Sequence, residues 1–467
     1  MLNPTIDTIG GFVTARFFGR RDADMTQGTI WRQLVGFAIP MAVGLLFQQL
    51  YNTVDTIVVG QFVGKEALAA VGSTSSIINM LVGLSAGLST GASVVISQCY
   101  GARDHQALHD AVHTTLSATF IMSVAGMLLG AVIVEPMLNM MATPPDVMGE
   151  ARTYLSIYFM GLGGLFIYNM GSGILRAVGD SRRPLYFLCF SAVLNTAFDL
   201  LFVVAFGLGV EGVAYATILA QFLSALLVLY VLTHDHAPYG IRWRDIRLSR
   251  PMLRRILSIG LPSGVQQAIT SFSNVFVQSY VNFFGSACMA GWSSYNKLDV
   301  FILIPMQSIA LASTTFVGQN FGAKKLERAR KGVKQALIMA LAVTAVLSVT
   351  VICASRILIR LFTSDEEVIA YGVRFIGVIS PFYMACCFNQ IFAGALRGIG
   401  NAKIPMFIML FSFVLFRQIY LFVAKQLGNS LLAISLAYPM GWVMCSILVT
   451  VFYRRSLLCR RPAQARA

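Results

Sequence analysis

Asp55 and Asp199 stand inside long apolar runs, where an ionisable group is costly and marks a working site by default. Asp55 follows Leu50-Tyr51-Asn52-Thr53-Val54, and Asp199 ends Asn195-Thr196-Ala197-Phe198-Asp199. Read as helices, Tyr51 and Asp55 are i and i+4, as are Asn195 and Asp199, so each pair shares one face. Burial disfavours an ionised carboxylate, and a second carboxylate nearby disfavours it further. Such acids could take up a proton from one side of a barrier and release it to the other. The same oxygens, with Asn, Thr and backbone carbonyls, could instead coordinate Na⁺. Residue types leave both chemistries open.

The elements that must hold these acids are membrane helices. The chain of 467 residues is 57% hydrophobic and 12% charged, with a mean hydropathy of +0.72. Soluble domains carry about 25% charged residues. Runs long enough to cross about 30 Å of hydrocarbon recur throughout. They lie near 34–59, 67–99, 110–141, 151–178, 185–207 and 210–233, then near 253–284, 287–320, 331–362, 368–395, 405–427 and 431–453. This predicts an all-α integral membrane protein of twelve transmembrane helices. No cleavable leader is expected, because the first residues hold Asp7, Arg16, Arg20 and Arg21 and lack a clean apolar core.

The two groups of six runs are repeats. At one offset Gly173 matches Gly394, Arg176 matches Arg397, Gly179 matches Gly400, Pro184 matches Pro405 and Gln98 matches Gln319. One residue further, Pro40 matches Pro262 and Asn52 matches Asn274. An even number of spans makes the repeats parallel, and a site between them is the default for a transporter. The expected organisation is an arm at 1–33, a first lobe at 34–234, a linker at 235–252, a second lobe at 253–453 and a basic tail at 454–467. The matched positions then isolate the chemistry. Asp55 becomes Val277, Asn195 becomes Phe416 and Asp199 becomes Tyr420. Acids serving only as glue between helices would be kept more often, so a cation site confined to the first repeat explains the difference better.

The net charge of +15 suggests nucleic acid, but its distribution does not. Basic residues fall in alternate loops: the arm, Arg103, Arg182 with Arg183, the segment from Arg242 to Arg255, Lys324 to Lys331, Lys403 and the tail. The intervening loops are acidic or near neutral. The positive-inside rule then places both termini and the central loop in the cytoplasm. A plasma (inner) membrane location is expected, with membrane lipids as surroundings and no nucleic-acid partner. Eight cysteines show no metal-ligand spacing and read as small apolar residues.

The second repeat has other intramembrane charges. Lys297 and Asp299 are i and i+2 and do not face each other, whereas Asp299 could pair with Arg417 across helices. A structural ion pair with a snorkelling lysine is one reading, and a substrate-binding or conformational-locking role is the other. Pro40 lies within the first span, where proline kinks a helix and frees a carbonyl. No nucleophile–base pair, metal motif or soluble catalytic domain is present, so an enzyme is not expected.

Together Ala38-Ile39-Pro40, Val54-Asp55-Thr56, Leu175-Arg176-Ala177-Val178-Gly179-Asp180 with Pro184, Asn195-x-x-x-Asp199 and the echo Leu396-Arg397-Gly398-Ile399-Gly400-Asn401 carry a resemblance. The chain resembles the multidrug and toxic compound extrusion (MATE) family over nearly its full length. The resemblance implies two V-shaped lobes and cation-driven antiport of drugs, usually organic cations, by a monomer without a cofactor other than the coupling ion. It also implies a first-lobe cation site made of Tyr51, Asp55, Asn169, Asn195, Asp199 and Thr217, each of the expected residue type, with Na⁺ possible at Asp55, Asn195, Asp199 and Thr217. Where one branch of the family has second-lobe acids, this chain has Thr270 and Cys386. That departure favours H⁺ over Na⁺ as the coupling ion. Pro40 is the expected hinge for alternating access. The rival expectation is a flippase for lipids or lipid-linked oligosaccharides in the same superfamily, which Lys297 and Arg417 keep open.

Overall fold

In a membrane every backbone N–H and C=O must be satisfied within the chain, and a run of helices is the solution a hydrophobic sequence of this kind takes. The computed structural model describes residues 23–141, 143–235, 237–428 and 430–459, and among these it contains helices and no strand. The arm residues up to 22 and the tail from 460 lie outside the described residues. The first repeat runs through α1 (Ile30–Val58), α2 (Lys65–Ala102), α3 (His105–Met140), α4 (Pro145–Met160), α5 (Leu162–Ala177), α6 (Arg182–Asp199) and α7 (Gly209–His234). The second runs through α8 (Arg250–Asn282), α9 (Ser286–Gly322), α10 (Leu326–Cys353), the short α11 (Ser355–Arg360), α12 (Glu366–Ile379) and α13 (Tyr383–Gly398). It ends with α14 (Lys403–Leu410), α15 (Arg417–Gln426), α16 (Leu431–Ser435) and α17 (Ala437–Arg455).

Twelve spans were expected from apolar runs, and the helices sort differently. Ten stretches among the described residues are apolar and long enough to cross a membrane. An eleventh is the pair α4–α5, bent by 46°. The twelfth, α8, has 33 residues but carries Gln266, Gln267, Thr270, Ser271, Ser273 and Asn274 in its middle, which lowers its apolar character below a typical span.

The duplication is written into the backbone. Left-handed residues recur at matched positions: Gly64 and Gly285, Arg103 and Lys324, Gly179 and Gly400, Gly207 and Gly428. Arg103 and Lys324 adopt φ of 56° and 57° without being glycine, a conformation that costs about 1–2 kcal/mol and recurs only where the surrounding turn dictates it. Gly179 and Gly400 end helices in the same way. The Gly179 N–H donates to Arg176 O at 3.0 Å and Asp180 N–H to Leu175 O at 3.0 Å; Gly400 N–H donates to Arg397 O at 2.8 Å and Asn401 N–H to Leu396 O at 2.9 Å. This pattern satisfies the last carbonyls of each helix.

The described residues form two compact units, one holding residues 23–24 with 43–257 and the other residues 25–42 with 258–459. The helix α1 is therefore divided: its first part belongs to the second unit and its remainder to the first. The change falls at Ala42 and Val43, two residues beyond Pro40, which sits inside the continuous helix. Proline lacks the N–H that would bond the carbonyl of Gly36 and so weakens the helix at this place.

In the first unit α5 is the axis. Most of its residues are buried, and it packs against α2, α3 and α7. Glycine makes the approach possible: a Cβ at Gly164 would lie 3.0 Å from the backbone nitrogen of Phe222 on α7. The segment after α7 is anchored by a buried charge network. Arg183 pairs with Asp180, with Asp235 at 3.0 Å and with the Tyr239 hydroxyl at 3.2 Å, and that hydroxyl donates to Asp235 at 2.9 Å. Burial away from water pushes the Tyr239 phenol well above its ordinary range. The expected linker at 235–252 is packed as part of the first unit.

In the second unit α9 is the axis and packs on α10, α12 and α13. The start of α1 joins that core through Leu34, Phe37 and Ala38. The segment before it is held by polar contacts. Met25 N–H donates to Gln319 Oε1 at 2.9 Å, and Lys325 Nζ donates to Thr26 O at 2.9 Å.

Candidate functional site

Asp55 and Asp199 each stand just before an unusual turn. Residues Val59–Val63 continue α1 as a π-helix, and Leu200–Ala205 continue α6 in the same way. The i→i−5 bonds are formed from Gly64 N–H to Val59 O at 3.1 Å and from Phe206 N–H to Leu201 O at 3.0 Å. Such turns are rare and concentrate at functional sites, because the extra residue re-aims the helix beyond it. The second repeat has a π-helix too, at Phe411–Phe416 on the N-terminal side of Arg417. The repeats thus diverge in backbone where they diverge in charge.

Tertiary packing brings the two acids together. The Asp55 and Asp199 carboxyl groups lie against each other. Asp199 and Asn195 are buried on α6, and Thr217 is buried on the adjoining α7. Neither oxygen of Asp199 has a hydrogen-bond partner, and neither has either polar atom of the Asn195 amide or Oδ1 of Asp55. An orphaned buried polar atom costs about 1–3 kcal/mol. Five of them from three neighbouring residues is a structure that a shared proton or a hard cation would relieve. The two carboxylates cannot relieve each other while both are ionised, because both only accept.

Tyr51 stands one turn before Asp55, with Gln48 in hydrogen-bonding contact and Tyr158 and Tyr168 beside it. The other two expected ligands spend their hydrogens locally. Asn169 Nδ2 donates to Leu165 O at 2.9 Å, and Thr217 Oγ1 donates to Val213 O at 3.0 Å. Each arrangement leaves an oxygen, Oδ1 or Oγ1, with acceptor capacity. Sequence reasoning missed Tyr154 and Tyr158 on α4. Tyr154 neighbours Asp55, Asp199, Tyr51 and Tyr158, and Tyr158 hydrogen-bonds Gln221. Their i, i+4 spacing was the available signal. Beyond the acids, Val58, Val59, Ile157, Val203, Val210 and Val213 form an apolar cluster with Tyr154. It excludes water from one end of the pair, which strengthens every charge interaction there.

The intramembrane charges of the second repeat assemble otherwise than expected. Asp299 does not pair with Arg417. It accepts from the hydroxyls of Tyr383 and, at 3.3 Å, Tyr295, which are themselves 3.1 Å apart. Arg417 is buried, donates to Ser273 Oγ at 2.8 Å and Asn274 Oδ1 at 2.9 Å, and stacks its guanidinium 4.8 Å from the centre of the Tyr438 ring. Neutral hydroxyl and amide partners disperse both charges through the abundant aromatic and polar groups of α8, α9 and α13. Lys297 is exposed and lies over the Phe362 ring at 5.2 Å, a snorkelling geometry. Thr270 has an unpartnered hydroxyl, and Cys386 is buried on α13.

Comparison with known proteins matches the MatE family model twice, at residues 40–201 and 262–423. The chain is 30% identical over 439 residues to "Probable multidrug resistance protein YpnP" of Bacillus subtilis (strain 168), covering 92% of this chain and 96% of that one. It is 26% identical to "Probable multidrug resistance protein YoeA" of the same organism, covering 92% and 94%. Its fold is also that of a solved multidrug resistance MATE family transporter of the MOP superfamily in an outward-facing conformation. That likeness has a TM-score of 0.87 at 24% identity, over 93% of this chain and 98% of that one.

Proposed function

Because this chain belongs to the MatE family of membrane transporters, we propose that it is a secondary active exporter of chemically varied drugs, organic cations foremost, exchanged for a coupling cation. It is a transporter and not an enzyme. The observation that carries the exchange is the first-repeat cluster of Asp55, Asn195 and Asp199, whose buried polar atoms lack partners and whose matched positions in the second repeat are Val277, Phe416 and Tyr420. The ion is H⁺ in preference to Na⁺, a choice supported by Thr270 and Cys386 standing where a second set of acids would be needed.

The cycle is alternating access. Substrate binds from the cytoplasmic side, and the protein reopens outward. A cation then reaches Asp55 and Asp199, with Asn195 and the oxygens of Asn169 and Thr217 as further ligands and Tyr51, Tyr154 and Tyr158 shaping the surroundings. Its arrival neutralises the repulsion between the acids and lets α1 and α6 draw together. Pro40 is where α1 yields. The residues before it are packed with one unit and those after Ala42 with the other, so a movement at Asp55 is transmitted along a helix already weakened at that point. The protein resides in the plasma (inner) membrane with both termini cytoplasmic, as a monomer.

The test is purified protein in liposomes loaded with ethidium, with a proton or a Na⁺ gradient imposed separately and Asp55→Asn as control. Ethidium movement driven by the proton gradient alone and lost in the variant is expected. Movement driven only by Na⁺ would overturn the choice of ion. Full transport by Asp55→Asn would remove the carboxyl pair from the mechanism.

A further inference from the structure

Of the five histidines of the chain, His105, His109 and His113 lie on one face of α3, His234 ends α7, and His236 is outside the described residues. Nothing in the transport cycle uses them. The three on α3 are spaced i, i+4 and i+8, so they stack along one edge of the helix. The segment joining the repeats lies along the same edge. His109 Nε2 is 3.2 Å from Asp245 Oδ2, Arg242 N–H donates to His113 Nε2 at 3.1 Å, Arg247 pairs with Asp110 at 2.6 Å, and Ser249 N–H donates to Thr114 Oγ1 at 3.1 Å.

We propose that His109, His113 and Asp245 form a binding site for a borderline divalent transition-metal ion, with zinc as the representative, which clamps the inter-repeat segment to α3. Ligating atoms of the three residues all lie within 4.8 Å of one another. Two ligands about 2.0 Å from one tetrahedral ion are about 3.3 Å apart, and the His109–Asp245 separation of 3.2 Å already meets this. Two imidazoles and one carboxylate suit zinc, copper or nickel, whereas Ca²⁺ and Mg²⁺ require an all-oxygen shell.

The tautomer of His113 is set for ligation, whereas His109 Nε2–H donates to Asp245 Oδ2 at 3.2 Å and would lose that proton, or pass it to Nδ1, on binding the ion. A backbone N–H can only donate, so His113 Nε2 holds a bare lone pair. Its Nδ1–H is fixed by donation to His109 O at 2.8 Å. Binding would exchange the Arg242 hydrogen bond for the metal and splay the His109 and His113 rings, which are stacked with centroids 3.9 Å apart, so that ligand atoms within 4.8 Å of one another close to about 3.3 Å. His109 Nδ1 is buried without a hydrogen-bond partner and lies 3.8 Å from Asp110 Oδ1. With the ion on Nε2, Nδ1–H would turn to that carboxylate. This gives the carboxylate–histidine–metal relay that orients metal-bound imidazoles. Arg247 holds Asp110 in place by donating to that same Oδ1 oxygen.

A cavity of about 580 Å³ opens onto the site and is lined by His105, His109, Asp245, Arg242 and Arg247 among others. It supplies an entry path and a position for a fourth ligand, water or His105. Arg242, Arg244 and Arg247 line the cavity and oppose a cation, but Arg247 is already paired with Asp110, and Arg242 and Arg244 are exposed to water and free to turn outward. The carboxylates of Asp245 and Asp110 stand nearer the ion.

The experiment uses the tag-free full-length chain in detergent, stripped with a chelator and dialysed against micromolar Zn²⁺, with bound metal measured by mass spectrometry. Co²⁺ substitution reports the coordination geometry by visible absorption. One zinc per chain and a tetrahedral Co²⁺ spectrum are expected. His109→Gln and Asp245→Asn, both at half-buried positions, should each weaken binding at least tenfold, and Asp110→Asn should weaken it about 10–100-fold while leaving a site. His234→Gln should leave binding unchanged. No zinc bound at micromolar concentration, or binding that survives the His109→Gln/Asp245→Asn double variant, overturns the proposal.

Discussion

Asp199→Asn separates a working carboxyl pair from a structural one, because the two readings predict opposite signs of stability change. Asp199 is buried against Asp55 and has no partner for either oxygen. Two carboxylates about 4 Å apart at an effective dielectric of about 20 repel by about 4 kcal/mol. A shared proton removes part of this, so the residual penalty in the cation-free protein is taken as about 1–2 kcal/mol. The amide removes the charge at nearly constant volume and adds two donors that the Asp55 carboxylate can accept. The variant should therefore be more stable than the parent by about 1–2 kcal/mol, or about 2–8 °C in unfolding midpoint for a unit of this size. Gradient-driven ethidium efflux should fall to background in the same preparation. The assay is thermal unfolding in detergent, paired with liposome transport. A variant destabilised by 2 kcal/mol or more that still transports would refute the reasoning, since that is how a hydrogen-bonding strut behaves.

Three other substitutions test the frame around the site. Arg183→Ala leaves Asp180 and Asp235 buried without their cation and should cost about 3–5 kcal/mol, read as a lowered unfolding midpoint; a loss below 1 kcal/mol would mean that the network is dispensable. Pro40→Ala restores an N–H and a good helix former inside α1, so substrate affinity should hold while turnover drops severalfold; unchanged turnover would place the hinge elsewhere. Gly179→Ala must hold a Cβ at φ 92° and 2.4 Å from the Ala23 carbonyl oxygen, and should cost at least about 1–2 kcal/mol in thermal unfolding, whereas a neutral result would show that this turn relaxes freely.

Much of the candidate site was legible because its signals are local. Asp55 and Asp199 stood out against apolar neighbours, and the i, i+4 partners Tyr51 and Asn195 followed from helical spacing. The contrast with Val277, Phe416 and Tyr420 needed only the internal repeat. Tyr154 and Tyr158 were overlooked because a tyrosine in an apolar run is ordinary until its neighbours are known. The pairing expected between Asp299 and Arg417 failed for a related reason. Opposite charges in one membrane half suggest a pair, but hydroxyls from Tyr295 and Tyr383 and amide and hydroxyl groups of α8 reached them first. Of the twelve apolar runs α8 is the least apolar, because its middle carries Gln266, Gln267, Ser273 and Asn274.

Composition, periodicity and duplication are properties of neighbouring residues and of one fixed offset. From the sequence alone they determine that this is a helical membrane protein of two parallel repeats, with the acids Asp55 and Asp199 having no counterpart at the matched positions of the second. Which side chains meet is a property of packing between elements far apart in the chain. Only the tertiary structure decided that α1 and α6 press Asp55 against Asp199, that α1 divides between two units beside Pro40, and that the inter-repeat segment carries Asp245 to His109 and His113. The physical reason is that hydrophobic burial is nearly non-directional and can be read as a pattern, whereas a polar cluster exists only once close packing has fixed its distances.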